Sequence, residues 1–114
     1  MQVTRIEDAK SFESPKHYDC RPLRLQGFDA SDAKNFWVGM THVLPGGGCE
    51  RDATPLEKVY VVVSGELTIV TDEGETVLRP YDSCYIAPEE ARAIENRTNL
   101  PASMIVVLPY PPGH

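Results

Sequence analysis

Apolar residues along this chain come in short runs, and proline or glycine closes almost every one. Ten prolines and eight glycines at such intervals are the punctuation of many short strands. The pattern is sharpest from Asn35 onward. Residues 36–44 read as a strand, stopped by Pro45-Gly46-Gly47-Gly48. Residues 58–63 are β-branched and aromatic, and Ser64-Gly65 breaks them before strand character resumes over 66–71. Asp72-Glu73-Gly74-Glu75 reads as a tight hairpin turn, with Gly74 free to take positive φ. Further strands are expected at 76–79, 83–87, 91–96 and 102–108, separated by Pro80-Tyr81-Asp82, Pro88-Glu89-Glu90 and Asn99-Leu100-Pro101. Seven or eight short strands without an amphipathic helix of ordinary length predict an all-β sandwich or barrel.

The first 34 residues carry no clear period. They are interrupted by Pro15, Pro22 and Gly27, and read as an arm or edge strands of the same domain. The barrel is expected over 35–110, with a tail at 111–114. A chain of 114 residues has room for one core. No apolar stretch approaches the ~20 residues of a membrane span. The N-terminus lacks the basic-then-apolar order of a signal peptide, so the cytoplasm is the expected compartment. A formal charge of −6, with lysines and arginines scattered singly, speaks against a broad nucleic-acid surface. Cys20, Cys49 and Cys84 form no Cys-x-x-Cys pair and read as reduced thiols.

Two stretches carry a resemblance. Pro45-Gly46-Gly47-Gly48, followed by residues 57–69 with Ser64-Gly65, resembles the first motif of the cupins. Residues 78–88, running on to Asn96, resemble the second. The likeness spans roughly 36–108 and implies a small jelly-roll barrel with a pocket at one end, usually dimeric. It also implies where a cupin metal would sit: on a His-x-His pair, a Glu and a third His. Counting back from Gly65 by the family spacing puts Lys58, one past Glu57, at the Glu position. The His pair falls on Asp52 and Thr54, and the third His on Arg92. Lysine and arginine have no lone pair to offer at neutral pH, so no family-type metal and no cofactor are expected. A shifted ligand set of Cys49, Glu50, Asp52 and Glu57 is a rival. It needs a one-residue slip at Glu57, which in a strand means the opposite face.

Strand parity then gives a candidate site. If Lys58 faces inward, so does Tyr60; if Arg92 does, so does Asn96. Arg92 and Asn96 are candidate substrate contacts, and Lys58, Asp52 and Tyr60 candidate catalytic groups. His42 is a further candidate substrate contact on a strand whose two faces are both apolar, so its direction is open. Arginine's planar fork suits a carboxylate, which makes a small anionic organic molecule the expected partner. Decarboxylation, isomerisation and elimination on a carboxylated metabolite all fit. So do a non-catalytic sensor, a metal enzyme with an unusual ligand set, and a salt-linked plug of Asp52, Lys58 and Arg92 without function. His17 and His114 are expected in solvent. The strand 102–108 is apolar on both faces, which predicts a covering arm or a homodimer.

Overall fold

Alternation decides the inside of the molecule. In the computed structural model, which describes residues 1–114, Lys58, Tyr60 and Val62 of one strand are buried, while Val59 and Val61 between them are half-exposed. Ala102, Met104 and Val106 repeat the pattern, as do Arg92 and Ile94. Nine strands result: β1 (Lys10–Ser11), β2 (His17–Gln26), β3 (Trp37–Asp52), β4 (Lys58–Ser64), β5 (Leu67–Thr71), β6 (Gly74–Leu78), β7 (Ser83–Ile86), β8 (Arg92–Glu95) and β9 (Ala102–Leu108). All pairings are antiparallel, in the order β6-β5-β8-β3-β9-β4-β7, with β2 along β3 and β1 along β2. The result is the expected all-β jelly-roll, a nearly closed barrel. No helix is long and apolar enough to cross a membrane.

The core is one cluster at the barrel centre, including Val62, Leu67, Ile69, Ile94 and Met104. Each such side chain contributes about 1.5–3 kcal/mol by leaving water.

Two sequence expectations change. The strand expected to stop at residue 44 runs on to Asp52, through the proline and glycines. Its first half pairs with β9 and its second half with β8, so the glycines mark a crossing between sheets rather than an end. A Cβ at Gly48 would run into the Ile94 carbonyl, and one at Gly47 into the Asp19 carbonyl. Only glycine lets three backbones approach that closely. The hairpin turn is also shorter than expected. Thr71 pairs with Gly74, leaving Asp72-Glu73 as a two-residue loop, and Gly74 has φ +121°.

Within residues 1–34, β2 is a ten-residue strand that pairs with β3. Pro22 is tolerated because β2 has only two-residue β1 on its far side. The arm is pinned through Arg24, whose guanidinium lies over Phe12 at 3.9 Å, Phe28 at 4.0 Å and Trp37 at 4.7 Å. Cation–π contacts of this kind are worth about 0.5–2 kcal/mol each. Tyr110 hydroxyl bonds the Ala33 carbonyl and accepts from Phe28 N–H, which ties the C-terminal end to the same cluster.

Candidate functional site

Inward parity at one end of the barrel opens a cavity of about 220 Å³. β4 contributes Lys58 and Tyr60, β8 contributes Arg92 and Ile94, and β9 contributes Met104 and Val106. The arm closes another side with Phe12, Pro15 and His17. An apolar chamber with a few convergent polar groups is the usual form of a small-molecule site.

Two of the polar groups are buried cations, and one of these is incompletely hydrogen-bonded. Lys58 is 4% exposed and Arg92 6% exposed, yet neither has a carboxylate within ion-pair distance. Lys58 Nζ donates to Thr54 Oγ1 at 2.8 Å. Arg92 Nε donates to the Tyr60 hydroxyl at 2.7 Å, and Arg92 Nη1 is buried with no partner at all. Burial and then the charge on Arg92 push the Lys58 pKa down. Burial raises the Tyr60 pKa against the lowering effect of Arg92, so the phenol stays neutral at pH 7. Its oxygen accepts from Arg92, which leaves its own proton to give. For Arg92, burial acts downward, and Tyr60, Cys49 and Asp52 together more than offset it.

Asp52 lies across from Arg92 in the β3–β8 register but pairs with Lys16 of the arm at 3.1 Å. The Lys16 hydrogen bond holds its pKa below the usual carboxylate range. The salt-linked plug is therefore not what the side chains form: Asp52 is engaged elsewhere and the two buried cations face the cavity unpaired.

Lys58, Tyr60, Asp52 and Arg92 thus line one chamber, whereas two further candidates lie elsewhere. His42 does not line it. Thr41 and Val43 take the inward positions of β3, and His42 points to the other face, where Nδ1 meets Ser103 Oγ at 2.7 Å. Asn96 is buried but spends all its capacity on structure. Its amide donates to the Val43 and Leu100 carbonyls at 3.0 and 2.8 Å, and its oxygen accepts from Thr98 N–H and hydroxyl. It holds the turn before β9 and is not in the cavity wall.

His17 reverses an expectation. It lines the cavity instead of standing in solvent, because β2 pairs with the second half of β3 and sets His17 opposite Cys49. Burial lowers its pKa, partly countered by the Pro15 carbonyl. No signal in the sequence pointed to it, since the arm has no period to read.

The residues do not suit a cupin metal. No three of His, Cys, Asp and Glu converge anywhere. The family positions offer a single carboxylate, Asp52, already held by Lys16, beside two buried cations. The shifted set fails as well. Cys49 is in the core, Glu50 is exposed, and Glu57 accepts from Tyr85 hydroxyl on the outside.

The sequence pattern of the cupin domain matches residues 39–108. The chain belongs to the cupin family. A Mycobacterium tuberculosis protein named beta-D-galactosidase Rv1717 is 40% identical over 111 residues, covering 97% of this cupin and 96% of that protein. The polyketide cyclase RemF of Streptomyces resistomycificus has the same fold, with TM-score 0.86 at 19% identity over 96% of this chain and 79% of that one. A cupin-superfamily sugar phosphate isomerase of Silicibacter pomeroyi superposes with TM-score 0.69 at 25% identity, over 80% of this cupin and 60% of that chain.

Proposed function

We propose that this cupin is an enzyme acting on a small acidic sugar, such as a uronic acid or a sugar phosphate, by proton transfer and without a family-type metal. The observation that carries the reading is the pair of buried cations, Lys58 of β4 and Arg92 of β8, in the lining of one chamber with no carboxylate partner and with Arg92 Nη1 unbonded. A buried donor without a partner costs about 1–3 kcal/mol, more when charged, and an anionic guest would relieve it. The names of two relatives, a galactosidase and a sugar phosphate isomerase, support a sugar as the body of that guest. A carboxylated sugar also keeps the reading within the carboxylated metabolites that the sequence favoured.

In this scheme Arg92 and Lys58 hold the anion and neutralise charge that develops on it. Tyr60 donates a proton to a departing or rearranging oxygen. Such groups suit isomerisation or elimination next to a carboxylate. Hydrolysis of a neutral β-galactoside is the second reading, favoured by the 40% identical relative. Against it, Asp52 is the one carboxylate in the chamber, and most glycoside hydrolases use two.

The test is a thermal-shift and turnover panel of D-galacturonate, D-galactose, galactose 6-phosphate and 4-nitrophenyl β-D-galactoside. Acidic sugars are expected to raise Tm and neutral ones to leave it unchanged. Stabilisation by galactose alone, with cleavage of the nitrophenyl galactoside, would favour the second reading. Binding without conversion would make the protein a sensor.

We also propose a homodimer. Met40, Ile105 and Val61 lie in register on the outer face of β3, β9 and β4, next to Val107 and Val59, and all five stay partly exposed. Light scattering at micromolar concentration should give twice the chain mass; a monomer would refute it. Three free cysteines fit a reducing compartment, and we place the activity in the cytoplasm on that ground.

A further inference from the structure

The arm residue His17 lies outside both cupin motifs, yet it stands in the chamber wall. Its Nδ1 is 2.8 Å from the Pro15 carbonyl oxygen. A carbonyl can only accept, so Nδ1 carries the proton and Nε2 keeps its lone pair in the neutral ring. No side chain or backbone group bonds Nε2. The charged groups around it are Arg92 from β8 and Asp52 from β3, with Cys49 its strand neighbour and Lys16 next in the chain. The residue before it in the chain is tied to β3 twice. Glu50 N–H donates to the Lys16 carbonyl at 2.9 Å, and Lys16 Nζ donates to Asp52 at 3.1 Å.

We propose that His17 is a catalytic residue of this cupin: its Nε2 accepts the proton from the carbon that bears the anionic group held by Arg92 and Lys58. The arm is then part of the active site, not a cover for it. The inference rests on the acidic-sugar reading and deepens it by naming the base and the bond that breaks. In the step, the C–H bond next to the carboxylate breaks and an N–H bond forms at Nε2. The electron pair passes to a carboxylate oxygen, where the two cations balance it. Return of the pair either takes a proton back to carbon, giving exchange or isomerisation, or expels an oxygen substituent on the next carbon, which leaves with the proton of Tyr60. Atoms and charge balance without an added reagent.

Deuterium exchange at the carbon next to the carboxylate of D-galacturonate, followed by NMR in D₂O, reads this step without requiring a leaving group. Wild type should exchange that proton, and His17→Gln should do so at least 100-fold more slowly, in line with the ~10²–10⁴-fold worth of a positioned base. D-Galacturonate affinity by calorimetry should change less than threefold in the variant. The ¹⁵N shifts of His17 should show the Nδ1–H tautomer at pH 7, with the Nε2 signal moving as D-galacturonate is added. Exchange in His17→Gln within threefold of wild type would overturn the proposal and leave anion binding intact. So would wild type that binds D-galacturonate without exchanging it, or an Nε2 signal blind to saturating sugar. Failure of wild type to bind D-galacturonate would instead strike the acidic-sugar reading, and His17's role with it.

Discussion

Arg92 opens β8 and Asn96, four residues on, directly follows its last residue; both are buried polar side chains at positions that stand out in the cupin motif. Their surroundings differ completely. Asn96 uses both amide contacts and its carbonyl oxygen on neighbouring backbone and Thr98. Arg92 makes one side-chain bond, to Tyr60, and leaves Nη1 with nothing. Completeness of hydrogen bonding separates a group that builds the fold from one kept ready for a guest. Folding alone would favour a fully bonded or an apolar residue where Arg92 stands.

Asn96→Ala should give the largest stability effect of the site substitutions considered. It removes four hydrogen bonds, two to carbonyls and two from Thr98, at about 2–4 kcal/mol in all, a Tm loss of roughly 10–20 °C. Ligand affinity of the surviving folded protein should be unchanged. Arg92→Met is the mirror image. Tm should stay within about 3 °C of wild type or rise, while affinity for D-galacturonate falls roughly 30-fold or more. If both variants lose stability equally and affinity equally, the distinction between the two ends collapses.

Tyr60→Phe sharpens the Arg92 end further. It leaves the buried Arg92 Nε without its only partner, at about 1–3 kcal/mol, so Tm should fall by roughly 5–15 °C. Turnover should fall about 100-fold if the phenol is the proton donor.

The pH dependence of stability tests the chamber without any ligand. Burial depresses the folded-state pKa of His17 below its ordinary 6.5, so the unfolded chain binds more protons just below that pH. Stability is then lost as pH falls from 6.5 through the folded value. Asp52 is also depressed, but its contribution is present above 3.8 and disappears only below it, so the two windows separate. Melting temperatures between pH 7 and 5 should decline in wild type and flatten in His17→Gln. Smallest of all, Lys16→Met breaks a solvent-screened ion pair and should leave the midpoint of denaturant titration almost unchanged.

Much of this architecture was readable from turn residues and parity. Proline and glycine spacing located every strand from β4 to β9 within a residue or two, because in a small barrel each strand must reverse at its end. The cupin resemblance marked Lys58 and Arg92 as pocket positions, and parity carried Tyr60 with Lys58. The misreadings share a cause. Glycines 46–48 looked like a stop, because whether a glycine ends a strand or lets two strands approach depends on the Ile94 and Asp19 carbonyls, distant in sequence. His42 had apolar neighbours on both faces, so alternation carried no direction. Asn96 shares inward parity with Arg92, but its amide is captured by Val43, a contact between residues 53 apart. His17 was invisible because the arm borrows its order from β3 and has no hydrophobic period of its own.

The central statement is that two unpaired cations in an apolar chamber select a negatively charged guest. Calorimetric titration of D-galacturonate and D-galactose into wild type and Arg92→Met, at low and at moderate salt, tests it most directly. The account predicts that wild type binds the acid well above the neutral sugar, that salt weakens the acid alone, and that Arg92→Met removes the preference. Equal binding of both sugars, or a preference that survives the loss of Arg92, would contradict it.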